Sequence, residues 1–85
     1  MNLGDRRALL RSAFRSALRR HGEVNNGQLP TLERAERIML EIADERPDIG
    51  ENLDKLYPSR RGVRQLANLC LNDLTGTKLR AEDRA

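Results

Sequence analysis

The sequence predicts an all-α protein, a compact bundle of four helices formed by residues 5–20, 31–46, 48–57 and 59–75. Apolar residues recur at the 3.6-residue spacing of helices, and no stretch shows the alternation of a strand. Glycine, proline and asparagine separate the periodic stretches. The length of 85 residues fits one domain, which we assign to residues 1–77, followed by a charged tail or linker at residues 78–85.

The first helix is predicted from the spacing of Leu10, Phe14 and Leu18, which places them on one face. Gly22 is expected to end this helix as a left-handed cap. The segment 25–27, Asn-Asn-Gly, then marks a turn.

The second helix is expected to begin at Thr31, a good N-cap residue, and to end before Pro47. Its apolar positions form one continuous stripe, which Leu40 does not join. We therefore expect Leu40 to lie on the outside of the bundle.

Asp48 is expected to cap the third helix, with Glu51 completing a capping box. Ser59 is expected to cap the fourth helix, and Gly76 to end it. Apolar residues cover more than half of the circumference of the fourth helix, which is typical of a helix covered on two sides. We therefore predict that the fourth helix is the central one.

Charge is sorted along the chain. Residues 1–22 carry six Arg against one Asp, residues 23–58 carry nine acids against four bases, and residues 59–85 carry six bases against three acids. The net charge of +3 hides this pattern. Segregated charge suits a protein that meets a partner through a charged face, or a second copy of itself with one face against the other.

Two candidate interaction faces follow from this charge pattern. The basic ladder on the first helix repeats every four residues and consists of Arg7, Arg11, Arg15 and Arg19. Like charges at that spacing repel, so an acidic group should offset them, either on the second and third helices or on a partner. The candidate acidic face consists of Glu33, Glu36, Glu41, Asp44, Glu51 and Asp54. Leu40 would be its apolar anchor.

Catalysis and metal binding lack the residues that they need. His21 is the only histidine and is expected at a helix C-terminus, where a cation interacts favourably with the helix dipole. Cys70 is the only cysteine and is interpreted as a buried structural thiol. These two residues supply neither an acid–base pair nor a set of metal ligands, so we predict no enzyme, no catalytic residue, no metal and no cofactor.

The cellular setting is predicted from the same composition. A single cysteine excludes an internal disulfide and favours a reducing, cytoplasmic location. No apolar run approaches the ~20 residues of a membrane span, so a membrane partner is not expected. The N-terminal Arg residues are not followed by a continuous apolar stretch, and no signal peptide is predicted.

A helix-turn-helix is the alternative interpretation of the third and fourth helices. Leu56, Val63 and Leu66 have the apolar spacing of that motif. The fourth helix would then present Arg60, Arg61, Arg64 and Gln65 to DNA. Against this, Asn52 stands where an apolar residue is expected, and Gly62 lowers the helix propensity of the presumed recognition helix.

Residues 29–76 also carry a family resemblance. Its segments are 29–32 (Leu-Pro-Thr-Leu), 37–40 (Arg-Ile-Met-Leu), 46–49 (Arg-Pro-Asp-Ile), 58–61 (Pro-Ser-Arg-Arg), Val63, 69–71 (Leu-Cys-Leu) and Gly76. This stretch resembles the small helical effector-associated, death-like adaptor domains of bacterial conflict systems. The resemblance implies an adaptor that joins a sensor or scaffold to an effector by contact between matching domains.

The favoured function is therefore a non-enzymatic protein–protein interaction module in a bacterial or phage conflict system. Its partner is expected to be a protein, including a second copy of the chain. Two alternatives stay open at the level of sequence. One is a small helix-turn-helix-like DNA-binding protein, and the other is a small phage-type inhibitor that binds a host complex.

Overall fold

The computed structural model describes the backbone of residues 2–84 and the side chains of residues 2–75. Four helices follow one another along the chain: α1 (Leu3–Val24), α2 (Leu32–Glu45), α3 (Pro47–Leu56) and α4 (Arg60–Arg84). The described part of the chain contains no strand. The predicted all-α bundle of four helices is confirmed.

α1 is longer at both ends than predicted. Its cap is Asn2, whose side-chain oxygen accepts a hydrogen bond from the Asp5 backbone N–H at 2.8 Å. Gly22 was expected to end the helix, and this prediction is wrong, since Gly22 is buried inside α1. The left-handed residues are Asn26 and Gly27, with φ of 57° and 81°. The turn is thus formed by the predicted Asn-Gly pair.

The caps of α2 and α4 are confirmed. The Thr31 hydroxyl accepts a hydrogen bond from the Arg34 backbone N–H at 3.2 Å, and the Ser59 hydroxyl accepts one from Gly62 at 3.1 Å. Each hydroxyl satisfies one of the backbone donors that the first turn of a helix leaves without a helical partner.

The predicted cap of α3 is wrong. Arg46 occupies the N-cap position without a side-chain cap, and Pro47 is the first helical residue. Proline suits this position because its fixed φ matches the helix and its missing N–H needs no partner there. Asp48 lies in the first turn and pairs with Arg46 at 3.2 Å.

The predicted end of α4 near residue 75 is also wrong, because the helix continues through Gly76 to Arg84. One glycine costs a helix only about 1 kcal/mol, and the Lys, Leu, Arg, Ala and Glu that follow in the sequence favour helix. The tail assigned to residues 78–85 is therefore helical as far as residue 84, while its side chains and Ala85 lie outside the described residues.

The core is made by all four helices. α1 and α2 each pack against the three other helices, whereas α4 packs against α1 and α2. α4 is covered on two sides, as predicted, but it is not the central helix, since α1 and α2 each pack against one helix more. Its Leu69 is 48% exposed and faces outward. The buried core residues are Leu10, Phe14, Leu18, Ala35, Met39, Ile49, Leu53, Val63, Leu66, Ala67, Cys70 and Leu74.

Gly50 sets the distance between α2 and α3. A Cβ atom placed on Gly50 would lie 2.6 Å from the carbonyl oxygen of Ala43, closer than side chains tolerate. The two helices therefore touch through their backbones at this point. The exposed acids Asp44 and Glu51 are the next residues along each chain segment, so this contact brings two acid-bearing helices side by side.

Candidate interaction surfaces

The middle of the basic ladder is paired within the molecule. Arg11 Nη2 lies 2.6 Å from Asp73 Oδ2 of α4, and Arg15 Nη1 lies 3.7 Å from the same oxygen. The hydrogen bond and charge of Asp73 raise the pKa of Arg11 further above its usual value. The acid that offsets the repulsion between Arg11 and Arg15 is therefore Asp73 of α4. The sequence analysis had expected this acid on the second and third helices or on a partner.

The ends of the ladder are different. Arg7 and Arg19 are exposed, and neither forms an ion pair with any residue that the structure describes. The four Arg side chains therefore do not form one uniform basic face. Two serve the contact between α1 and α4, and two point their charge into solvent.

Five of the six predicted acids are exposed. These five, which we call the acidic surface, are Glu33, Glu41 and Asp44 of α2 and Glu51 and Asp54 of α3. Within residues 2–75 none of them forms an ion pair, although bases are plentiful in the chain. The fold therefore leaves this negative charge uncompensated by direct contacts.

Glu36 is the exception among the predicted acids. Its side chain is only 13% exposed, and its Oε1 lies 3.4 Å from Arg64 Nε at the start of α4. That oxygen is buried and accepts no hydrogen bond from any described residue. Glu36 therefore belongs to the contact between α2 and α4 rather than to the acidic surface.

Leu40 lies on the outside of α2, as predicted, and is 49% exposed. It borders a groove of about 340 Å³ between α2 and the start of α4. The groove is lined by Glu33, Glu36, Arg37, Leu40, Arg60 and Arg64. An apolar side chain of a partner would have room to contact Leu40 in this groove. Charged residues of the partner on either side of it would meet carboxylates and guanidinium groups of the groove.

The residues of the DNA-binding alternative are all exposed. Arg60, Arg61, Arg64 and Gln65 lie on the first turns of α4, after a three-residue connection from α3. However, Arg60 and Arg64 line the groove together with Glu33 and Glu36. These carboxylates reduce the positive charge that the guanidinium groups offer to a phosphate backbone.

This contact between acidic α2 and basic α4 was not predicted from the sequence. Glu36 and Arg64 are 28 positions apart, and local spacing along one helix carries no information on such a contact.

The only cysteine and the only histidine of the chain, Cys70 and His21, lie in different surroundings. Cys70 is fully buried, as predicted, and burial raises the pKa of its thiol, which keeps it protonated. His21 lies half-buried in the last turn of α1, where its carbonyl oxygen accepts a hydrogen bond from the Asn25 side chain at 2.7 Å. Among the described residues, no three His, Cys, Asp or Glu side chains are close enough to hold a metal ion.

Within the described part of the chain, no helix has the length and apolar character that crossing a membrane requires. Comparison of the chain with protein families, with curated proteins and with solved structures finds no match. The resemblance of residues 29–76 to death-like adaptor domains therefore stays a prediction.

Proposed function

We propose that the protein is a non-enzymatic protein–protein interaction module, an adaptor that docks on its partner through the acidic surface and Leu40. One observation carries the proposal: the five carboxylates of the acidic surface form no ion pair with any residue in the range 2–75. Because these carboxylates make no ion pair with a described residue, their charge is available to a basic partner.

The geometry around Leu40 supports the same proposal. A half-exposed leucine within a charged surface offers an apolar contact to a partner side chain, because its burial releases water while the surrounding charges select the partner. The partner face that fits has an apolar residue opposite Leu40 and is basic where it meets the acidic surface. It carries both signs of charge opposite the groove, whose lining has three Arg and two Glu. The resemblance to adaptor domains supports a role in a bacterial or phage conflict system, and the reduced Cys70 supports a cytoplasmic location.

The experiment is photo-crosslinking from position 40 in the cells that encode the protein. Leu40 is replaced by a photoreactive amino acid, and crosslinked proteins are identified by mass spectrometry. We expect a specific partner from position 40 and not from Ser12, an exposed position on α1.

A matched pair of variants tests the role of charge in that crosslink. The double variant Glu41→Lys/Asp44→Lys should abolish it, whereas Glu23→Lys/Asp5→Lys reverses as many charges on α1 and should leave it intact. Equal loss in both double variants would show that total charge, rather than the acidic surface, controls binding. Loss in neither would reject the acidic surface as the docking face.

DNA binding is a second candidate because Arg60, Arg61 and Gln65 are exposed together at the start of α4. A fluorescence anisotropy titration with a generic DNA duplex at low salt decides this alternative. Affinity that falls steeply with salt and is lost in Arg60→Glu/Arg61→Glu would favour DNA binding. The absence of binding at low salt would remove the alternative.

A further inference from the structure

The groove beside Leu40 holds more positive than negative charge. Three guanidinium groups, from Arg37, Arg60 and Arg64, line it together with the carboxylates of Glu33 and Glu36. Among these five side chains a single ion pair forms, between Arg64 and Glu36. The groove therefore has an excess of positive charge although it borders the acidic surface, and an anionic group fits it better than a cationic one.

Arg60 and Arg64 form the α4 wall of this groove. They are four positions apart, so their side chains are neighbours on one face of the helix and repel each other. Arg60 is exposed and forms no ion pair with any residue that the structure describes. Arg64 approaches Glu36 at 3.4 Å without a hydrogen bond to it, and its own side chain is 56% exposed. Both guanidinium groups are therefore accessible to an anion from outside the fold.

A second pair of arginines in the same chain has the same spacing and shares a carboxylate. Arg11 and Arg15 are four positions apart on α1, and Asp73 Oδ2 lies 2.6 Å from Arg11 Nη2 and 3.7 Å from Arg15 Nη1. One aspartate thus offsets the repulsion between two guanidinium groups. Within residues 2–75, no carboxylate contacts both Arg60 and Arg64 in this way.

A single carboxylate of a protein suits these two arginines better than a phosphate backbone does. Glu33 and Glu36 line the same groove and weaken its attraction for a closely spaced row of phosphates, whereas one carboxylate contacts only the two guanidinium groups. The planar guanidinium group also matches the geometry of a carboxylate. Leu40, which is 49% exposed, offers an apolar contact to a neighbouring side chain of the same partner segment.

We propose that Arg60 and Arg64 bind an Asp or Glu side chain of the partner, in a segment whose neighbouring apolar side chain contacts Leu40. This inference rests on the proposed function, because it specifies the chemistry of the partner segment that docks beside Leu40. The partner is then acidic opposite the start of α4 and basic opposite the acidic surface of α2 and α3.

The test compares two adjacent arginines in the crosslinking experiment at position 40. Arg60→Glu should lower the yield of crosslinked partner by about tenfold or more, because it places a carboxylate where the partner's carboxylate binds. Arg61→Glu is the matched control, since Arg61 is exposed and adjacent in sequence but does not line the groove. It should keep the yield within about twofold of the wild type.

Two further measurements separate a specific contact from a general loss. Arg60→Lys retains the positive charge and should lower the yield less than Arg60→Glu does, and circular dichroism verifies that each variant is folded. Mass spectrometry of the crosslinked product identifies the partner segment. That segment should contain an Asp or Glu within about four residues of the crosslinked position, the distance that one helical turn spans.

Equal yields from Arg60→Glu and Arg61→Glu would overturn this inference while the crosslink from the wild type still supported docking at Leu40. A partner segment without Asp or Glu near the crosslinked position would overturn it as well. Loss of duplex DNA binding to the same extent in both variants would assign the two arginines to phosphate contacts, which also contradicts it. A wild type that gives no specific crosslink from position 40 would instead reject the proposed function, and this inference with it.

Discussion

Neutralising Asp73 should lower the free energy of unfolding more than neutralising an acid of the acidic surface. The substitution Asp73→Asn keeps the shape of the side chain but removes the charge that faces Arg11 at 2.6 Å and Arg15 at 3.7 Å. We expect the free energy of unfolding to fall, because α1 and α4 lose an ionic contact and the two Arg residues are left four positions apart without an anion between them.

The magnitude follows from exposure. Fully exposed ion pairs contribute up to about 1 kcal/mol, and hydrogen bonds to charged groups contribute about 1.5–3 kcal/mol. The Asp73 side chain is 33% exposed, and those of Arg11 and Arg15 are 40% and 41% exposed, so solvent screens part of the contact. Asparagine can still accept one hydrogen bond. The expected loss is about 1 kcal/mol, which lowers the melting temperature by about 4–8 °C in a domain of this size.

Urea unfolding followed by circular dichroism measures this loss. Asp44→Asn is the control, since it neutralises an exposed acid without an ion-pair partner among the described residues, and it should change stability by less than about 0.5 kcal/mol. At about 1 M salt the difference between the two variants should shrink. Equal stability of the two variants at low salt would show that Asp73 does not stabilise the fold through Arg11 and Arg15.

Two further predictions concern packing and the thiol. Gly50→Ala should destabilise by about 1–3 kcal/mol, because its Cβ would lie 2.6 Å from the Ala43 oxygen, whereas Gly62→Ala meets its nearest atoms at 3.5 Å and should be neutral or stabilising. Thermal melts of both variants check this, and equal stability would contradict it. Burial raises the pKa of Cys70, so its contribution to stability is present below the unfolded pKa of about 8.5 and is lost as the pH rises through the folded value. Stability of the wild type should therefore fall more steeply than that of Cys70→Ala above about pH 8.5, and parallel curves would contradict the assignment.

Local signals in the sequence predict the helices well. Thr31 and Ser59 are found as caps because a cap depends on residues three positions apart. The apolar stripe of α2 predicts that Leu40 lies outside the core, because one helix face decides burial there.

Structural features that depend on tertiary contacts are predicted less well from the sequence. Gly22 and Gly76 look like helix ends, but one glycine costs too little to stop a helix that its neighbours favour. In addition, the chain segment at Gln28 and Leu29 packs against Gly22, with Leu29 Cδ2 3.4 Å from the position of its missing Cβ. The local turn pattern of the sequence does not predict this contact.

The charge pattern of the sequence predicts which residues form the candidate faces, but it does not predict which of those residues form ion pairs within the fold. Asp73 is 62 positions from Arg11, and its contact depends on how α1 and α4 pack. The sequence analysis therefore left open whether the basic and acidic faces meet within one molecule. The structure answers that Arg11 and Arg15 contact α4, and that the acidic surface of α2 and α3 has no ion-pair partner within residues 2–75.

We expect the acidic surface to contribute nothing to the stability of the folded chain. The most direct measurement is the free energy of unfolding of Glu41→Lys/Asp44→Lys, obtained by urea titration beside the wild type. Because neither carboxylate has an ion-pair partner among the described residues, we predict a change below about 0.5 kcal/mol, or a small gain from reduced repulsion. A loss above about 1 kcal/mol would show instead that these carboxylates stabilise the folded chain itself.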